Sequence, residues 1–261
     1  MCYNIKSLRW SQMVRARNRE RFKNLSDEKI EQALDKVRVS DYYHVSGFTH
    51  PNLLIYPGPD SDPRVATWGL VPETFDKEDP TLFWKQYNTL NATIEKMYWS
   101  PAYRDYSTRN HCLIYVNGFY EHHTVGKAKY PFFISMKDTE QFALAGIWAE
   151  RILPSTNTPV LSFSIVTTAA NPVMSKIHNV HPVSDGPRQP VILNEEMADM
   201  WLIDGFNQTT AKPFREPFHH ELLNYQTVGK LSGTGVMPNS PMASEKLEYK
   251  ELNEFLKDIG G

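Results

Sequence analysis

Cysteine is scarce in this chain, and long apolar runs are missing from it. The two cysteines, Cys2 and Cys112, are too few for a disulfide scaffold and leave room for one bridge at most. No stretch approaches the roughly 20 consecutive apolar residues that cross a bilayer, and the N-terminus has no apolar signal-peptide core. We therefore expect a cytoplasmic protein that has no membrane partner.

A strong excess of charge is also lacking. The formal net charge is −2, so the molecule as a whole gives no sign of binding polyanions. Its basic residues are nevertheless concentrated near the N-terminus, where only one acid, Glu20, accompanies Lys6, Arg9, Arg15, Arg17, Arg19, Arg21 and Lys23. Such a stretch can attract a phosphate backbone through counterion release, or it can form the solvated face of a helix.

The apolar pattern predicts strands in the middle of the chain and helices toward its ends. Ser26 is a suitable N-cap for a helix from about Asp27 to Val37. β-Branched and aromatic residues predict strands at 42–45, 52–56, 65–72, 112–116, 130–136, 142–148 and 161–168. Further helices are expected at 173–177, 194–202 and 245–259, and a loop at 88–95. These elements predict one α+β domain, with an irregular mixed sheet and a small barrel-like core flanked by helices.

Cys2 carries the most specific chemistry in the sequence. Removal of Met1 by an aminopeptidase would place an α-amine beside a thiol. An α-amine has a reference pKa near 8, about 2.5 units below that of a lysine amine, so a useful fraction is unprotonated at neutral pH. Such an amine can condense with an aldehyde to an imine, and the thiol can close on the imine carbon to give a thiazolidine. A cysteine at position 2 is also common in chains without this chemistry.

Three polar residues could assist such a reaction. Glu121 follows the strand at 112–116 and a turn, so it is expected at the end of a strand, where a carboxylate can act as general acid or base. It could equally be a salt-bridged surface residue. His178 has an unperturbed pKa near 6.5 and could be a second acid/base or a structural histidine. Asn91 could hold a phosphate or a hydroxyl group, or cap a turn.

The remaining candidates are less specific. The histidines match no familiar zinc spacing, so we expect neither a metal nor another cofactor. Cys112 lies between apolar strand residues and is expected in the core. Aromatic side chains can stack on nucleic-acid bases or belong to the core, and this choice stays open for Trp68, Phe75, Trp84 and Trp99.

Several short motifs occur in order along the chain. They are Met1-Cys2, Trp68-Gly69-Leu70-Val71-Pro72, Asn91-Ala92-Thr93-Ile94-Glu95, Cys112-Leu113-Ile114 with Gly118-Phe119-Tyr120-Glu121, Ala145-Gly146-Ile147-Trp148, Ile165-Val166-Thr167-Thr168-Ala169-Ala170-Asn171, and Ile177-His178 before Pro182-Val183. Together they resemble the SRAP family of abasic-site processing proteins. The resemblance is strongest over residues 1–202 of a single domain, 1–261, in which 203–261 is expected to be a C-terminal extension that packs on the rest.

The resemblance implies a protein that binds single-stranded DNA, or its junction with duplex, and captures the aldehyde of an abasic site as a protective covalent crosslink. It implies that Cys2 forms the crosslink, that Asn91 orients the sugar and phosphate, and that Glu121 is the acid/base. His178 would assist ring opening and adduct reversal. DNA contacts are implied at Trp68, Phe75, Thr93, Arg104, Thr167 and His181.

The family is also described as having a peptidase-like self-processing activity that exposes the N-terminal cysteine, and as linked to the bacterial SOS response. The resemblance thus implies a protein that works at the nucleoid in a bacterial cytoplasm. We expect it to be a monomer, without a cofactor or a metal.

The chain departs from the family pattern at expected DNA contacts. The replacements are Tyr3 and Asn4 for Gly and Arg, Phe75 for Trp, Thr93 for Arg, His122 for Trp, and Val180-His181 where an Arg is expected. They leave the four reactive positions intact and remove several groups that would hold phosphates. The basic stretch from Lys6 to Lys23 could compensate for them.

Two other classes of function stay open. A peptidase or amidohydrolase that uses Cys2 as an N-terminal nucleophile would have the same site and a different substrate, which a peptide turnover assay would reveal. A non-catalytic module that binds DNA or bases would keep its function after Cys2→Ala.

Overall fold

The structure, a computed structural model, describes residues 2–10, 26, 28–29, 32, 35, 39–58, 61–180, 186–203, 205–237 and 239–260. Two predicted features fall largely outside these residues. They are the helix from Asp27 to Val37 and the basic stretch beyond Arg9. His181 also lies outside the described residues.

The described residues form thirteen strands and four short α-helices. The strands are β1 (Asn4–Ser7), β2 (Tyr42–Ser46), β3 (Asn52–Ile55), β4 (Arg64–Trp68), β5 (Asn91–Thr93), β6 (His111–Val116), β7 (Gly118–Val125), β8 (Ala128–Met136), β9 (Phe142–Ile152), β10 (Pro159–Ala169), β11 (Arg188–Pro190), β12 (Ile192–Leu193) and β13 (Leu223–Thr227). The α-helices are α1 (Thr81–Trp84), α2 (Pro172–Ile177), α3 (Glu195–Trp201) and α4 (Asn253–Asp258). Short 3₁₀ helices occur at Gly47–Thr49, Lys212–Arg215, His220–Leu222, Pro241–Ser244 and Lys250–Leu252.

The strands form two sheets. The first has five strands in the order β13-β8-β7-β1-β2, and the second has the order β12-β9-β10-β4-β3, with β5 and β11 also paired to β10 and β6 paired to β9. β10 runs parallel to β4 and β5 but antiparallel to β9 and β11. The second sheet is therefore mixed, and the predicted α+β class is confirmed.

The second sheet is covered on both faces, which explains the unbroken apolar sequence of β6. Cys112 and Ile114 pack in one core cluster, which also contains residues of the first sheet. Leu113 and Tyr115 point the other way, into a second cluster that includes Trp201 of α3. A strand buried on both faces has no polar side. The prediction that Cys112 is a core residue is confirmed, and both cysteines are free thiols.

Two motif glycines are required because a side chain would not fit. A Cβ at Gly118 would contact the ring of Phe133 and lie 2.5 Å from the carbonyl oxygen of Ile134. A Cβ at Gly146 would contact Ile114 and lie 2.8 Å from Cys112 Sγ. These glycines let β7 approach β8 closely and let β9 approach β6.

Three predicted elements are corrected. The loop at 88–95 contains β5, because Ala92 and Ile94 are fully buried and the pairing with β10 overrides the turn preference of asparagine. Glu121 lies inside β7 rather than at a strand's end, because only Asn117 separates β6 from β7. The helix at 245–259 shrinks to α4 and one 3₁₀ turn, because an extended bridge joins Val228 to Lys246.

The C-terminal segment packs on both sheets. β13 pairs with β8 along its whole length. In α4, Phe255 stacks on His123 with ring centroids 3.9 Å apart. Asp258 at the end of this helix forms an ion pair with Lys176, in which Oδ2 and Nζ are 2.7 Å apart. Among the described residues, no helix has the length and apolar character that would let it cross a membrane.

We expect Gly146→Ala to lower the free energy of unfolding by about 1–3 kcal/mol, because the new methyl group overpacks the contact between β6 and β9. Chemical denaturation measures this change. Gly229→Ala is the matched control, since its Cβ would meet nothing within 4 Å. Equal stability of the two variants would contradict the packing argument.

Candidate active site

Pairing of β1 with β7 brings the N-terminal segment to the candidate site. Asn4 lies opposite Tyr120 in this antiparallel pair, so Cys2 precedes β1 on the side where β7 continues into Glu121. The Cys2 side chain is 1% exposed and belongs to the core cluster between the sheets. Burial raises the pKa of its thiol to about 12, and the negative charge of Glu121 acts in the same direction. The antiparallel register, with Asn4 opposite Tyr120, brings the segment that carries Cys2 alongside Glu121 and His122.

Glu121 and His178 form a buried pair. Glu121 Oε2 lies 3.8 Å from His178 Nδ1, and the two side chains are only 13% and 12% exposed. Burial raises the pKa of the Glu121 carboxyl, against the effect of the His122 backbone N–H, which donates to its Oε1 at 2.9 Å. A raised pKa favours the protonated form of the carboxyl, which suits it to act as a general acid.

The end of α2 holds His178 in place. Asn171 caps this helix by accepting the backbone N–H of Met174 at 2.8 Å, and Pro172 occupies its first turn. The backbone N–H of His178 in turn donates to the carbonyl of Met174 at 2.8 Å. The predicted helix at 173–177 is therefore confirmed.

An ion pair behind His178 was not assigned a role from the sequence. His178 Nδ1 lies 3.2 Å from the carbonyl oxygen of Arg188 and 3.4 Å from the Arg188 backbone nitrogen, so the Arg188 backbone can meet this ring nitrogen in either tautomer. The Arg188 guanidinium forms a two-point pair with Glu95 at 2.7 and 3.2 Å and donates to the carbonyl of Thr167 at 2.7 Å. Glu95 belongs to the motif that begins at Asn91, and the presence of an acid in that motif is the feature of the sequence from which its ion pair could have been predicted.

Asn91 carries an unused amide. Both polar atoms of its side chain are buried and have no hydrogen-bond partner among the described residues. Its backbone is satisfied, since it pairs with Ile165 and its carbonyl accepts the Tyr103 hydroxyl at 3.0 Å. Buried amides are nearly always paired, so the Asn91 side chain is available to bond a group from outside the chain. Through Glu95 and Arg188, the same motif is connected to His178.

Two residues that were predicted to contact DNA lie in the core, which corrects those predictions. Trp68 is fully buried, with its indole N–H donating to the carbonyl of Leu90 at 2.8 Å. Thr167 is also fully buried, and its hydroxyl is directed at the carbonyl of Ala92 at 3.4 Å. Neither side chain offers a surface to a base or a phosphate. Both strands belong to the second sheet, which is covered on both faces, so these two motif residues are structural.

Three other predicted DNA contacts are accessible. Phe75 is half-buried, with its edge toward Phe83 at a centroid distance of 5.3 Å. Thr93 is half-buried in β5, and Arg104 is exposed, 3.6 Å from Asp105. Their contact with DNA stays a prediction.

Two other histidines have structural contacts. His111 bonds two backbone carbonyls, and His50 stacks on Trp84 with centroids 3.6 Å apart. Among the described residues, no group of three or more His, Cys, Asp or Glu side chains has a geometry that could hold a metal ion.

The fold and the site define an α+β protein in which an N-terminal cysteine lies beside a buried carboxyl–imidazole pair. The model of the SRAP family, whose full description is SOS response associated peptidase, matches residues 1–233. The chain belongs to this family, as its motifs indicated.

Relatives and solved structures agree with this assignment. The abasic site processing protein YoqW of Bacillus subtilis is 31% identical over 182 residues, which are 67% of this chain and 75% of that protein. The abasic site processing protein HMCES of Gallus gallus is 28% identical, over 55% of this chain and 46% of its own length. A crystal structure of a Bacteroides thetaiotaomicron protein has a TM-score of 0.77 at 25% identity and covers 95% of this chain and 100% of its own.

We expect Glu121→Gln to raise the melting temperature at neutral pH. The folded-state pKa of Glu121 is raised, so its contribution to stability is present below the unfolded pKa of about 4.3 and is lost as the pH rises through the folded pKa. The gain should therefore vanish below about pH 4. Thermal unfolding across this pH range measures it, with exposed Glu140→Gln as control. A gain that is independent of pH would contradict the assignment.

Proposed function

We propose that the chain captures abasic sites in single-stranded DNA by forming a thiazolidine between Cys2 and the ring-opened sugar. The observation that carries this proposal is the convergence of Cys2, Glu121 and His178, which come from distant parts of the sequence, in one buried site. Family membership and the printed names of the relatives, which are abasic site processing proteins, support the choice of substrate. The reaction requires prior removal of Met1, which frees the α-amine of Cys2.

The first stage is aldehyde formation and condensation. Opening of the sugar ring moves a proton from the C1′ hydroxyl to the ring oxygen, and His178 beside Glu121 is positioned to relay it. The free amine of Cys2 then attacks C1′ to give a carbinolamine. Burial raises the pKa of Glu121 and so favours the protonated form, which gives its proton to the departing hydroxyl. The hydroxyl leaves as water, and loss of the nitrogen proton to solvent yields the imine and the Glu121 carboxylate.

The second stage closes the ring. Cys2 Sγ adds to C1′ of the imine while its thiol proton passes to the Glu121 carboxylate and from there to the ring nitrogen. The balance is one aldehyde and one aminothiol giving a thiazolidine and one water. Because the amine attacks first, the high pKa of the Cys2 thiol is no obstacle, whereas a cysteine hydrolase needs a ready thiolate. This difference favours the crosslink over the N-terminal-nucleophile hydrolase.

Asn91 is assigned to the DNA backbone or sugar, because its buried amide has no other partner among the described residues. We place the protein as a monomer in the cytoplasm, acting on DNA that has lost a base. Self-removal of Met1 by the same site is part of the proposal, with water as the nucleophile and the Glu121 carboxylate as its general base, so this step needs no Cys2 thiolate.

We expect Cys2→Ala to abolish a heat-stable crosslink to single-stranded DNA that contains one abasic site, read on a denaturing gel after intact mass confirms the loss of Met1. Cys2→Ala and Cys2→Ser both keep the α-amine and lose only the thiol, so either variant should give a crosslink only when borohydride traps the imine. Glu121→Gln should slow crosslinking about 10²–10⁴-fold, the usual contribution of a general acid/base. Cys112→Ala serves as the control cysteine. A crosslink that survives in Cys2→Ala without borohydride would refute the proposal.

We expect Asn91→Leu to leave the stability unchanged or to increase it, since it removes an unpaired buried amide of similar shape. The same variant should weaken binding to single-stranded DNA and slow crosslinking. Denaturation and crosslinking rates measure the two effects. A large loss of stability would show that the amide has a structural role instead.

A further inference from the structure

A groove on the first sheet gathers three lysines that the proposed reaction does not use. It has a volume of about 540 Å³, which lies within the range of ordinary ligand sites. One wall is the β7–β8 hairpin and the other is the C-terminal segment. The charged and polar residues used in the argument below are His122, Lys127, Lys129, Lys230, Tyr249 and Glu251, all of which line it.

The strand register explains how these side chains meet. In the β7–β8 pair, Thr124 lies opposite Lys129 and His122 lies opposite Pro131. Alternation along the strands puts these four side chains on one face of the hairpin, and Glu121 on the other. Burial lowers the pKa of His122, and the positive charge of Lys129 adds to this effect, so the two side chains are electrostatic neighbours.

The groove has an excess of positive charge. Lys127, Lys129 and Lys230 are exposed, and none of them forms an ion pair with another described residue. Glu251 is the one carboxylate among the residues that line it. Since the chain as a whole has a net charge of −2, this concentration of ammonium groups is local.

The groove is adjacent to the reacting cluster. β1 pairs only with Gly118 to Tyr120 of β7, so no described strand covers the next part of that edge. At Thr124 the edge is closed by the Asn179 side chain. Its Oδ1 accepts from the Thr124 backbone N–H, and its Nδ2 donates to the Thr124 carbonyl. The backbone between these points carries Glu121 on one face and His122 on the other. The reacting cluster and the groove therefore lie on opposite faces of the same stretch of β7.

We propose that this groove binds the phosphodiester backbone of the single strand that flanks the abasic site. The choice of DNA as occupant rests on the proposed function. Lysines hold phosphates as point charges, and the expected phosphate-holding arginines of the family are replaced in this chain. Tyr249 and Glu251 lie beyond residue 233, where the family match ends, so part of the wall comes from outside the matched region. Tyr249 is fixed there by a 2.8 Å hydrogen bond to the carbonyl of Val228.

The test is the salt dependence of binding to a labelled single-stranded oligonucleotide without an abasic site, measured by fluorescence anisotropy. Lys127→Gln, Lys129→Gln and Lys230→Gln are combined in one variant. We expect affinity at low salt to fall about tenfold or more. The slope of log K against log salt should become shallower by about 2, because each neutralised phosphate of a single strand contributes about 0.7.

A matched variant removes the same charge elsewhere by combining Lys77→Gln, Lys137→Gln and Lys212→Gln, all of which are exposed. It should bind like the wild type. An oligonucleotide with an uncharged methylphosphonate backbone should show no dependence on the groove lysines. Identical slopes for the two triple variants would overturn the proposal.

Crosslinking distinguishes this proposal from the proposed function. At saturating abasic-site DNA, the groove variant should reach the wild-type yield, with a higher half-saturating DNA concentration. A wild type that binds intact DNA through these lysines and forms no crosslink would refute the thiazolidine reaction alone. A groove variant that crosslinks at every DNA concentration like the wild type would refute the groove alone.

Discussion

Pairing of β1 with β7 is the constraint on which the candidate site depends. It carries the start of the chain into the space between the sheets, where Cys2 is almost fully buried next to Glu121. The two glycines at Gly118 and Gly146 serve this arrangement, because they allow the neighbouring strands to approach without displacing Phe133 or Cys112. An N-terminal cysteine at a frayed end would have the same chemistry but no acid/base partner. The position of Cys2 next to Glu121 and its burial together distinguish it from an ordinary N-terminal cysteine.

The price of the site is visible in three buried polar groups. The Glu121 carboxyl has a raised pKa, the Cys2 thiol is held far from its thiolate, and the Asn91 amide lacks a partner among the described residues. The carboxyl and the amide oppose folding at neutral pH, whereas the thiol is protonated in both the folded and the unfolded protein and costs little there. Under the proposed function, these groups meet an aldehyde and a phosphodiester. Glu95 and Arg188, by contrast, form an ion pair, and this pair fixes the Arg188 backbone that contacts His178. In the proposed site, these two residues stabilise the fold without taking part in the reaction.

Much of the fold was predictable because the sequence pattern is strong there. The apolar run of β6, the Asn171 cap before α2 and the Asn194 cap before α3 all act locally, so composition reveals them. β5 was missed because its partner, β10, lies about 70 residues further along the chain, and short-range preferences favour a loop there. The family motifs identified Cys2, Asn91, Glu121 and His178, but residue type alone did not separate reacting groups from structural ones. Trp68 and Thr167 belong to the same motifs and are core residues, since burial depends on the packing of both sheets.

Electrostatics shows why a chain with slightly negative net charge can still be suited to DNA. The field that matters to a bound strand is set within about 10 Å by the groups nearest to it, because salt screens more distant charges. For a strand in the proposed groove, three lysines that form no ion pair with a described residue therefore outweigh acids distributed over the remaining surface. Such a site holds phosphates without reading bases, which suits a lesion that has no base to read. In the proposed reaction recognition comes from the aldehyde itself, because an intact nucleotide offers none to Cys2.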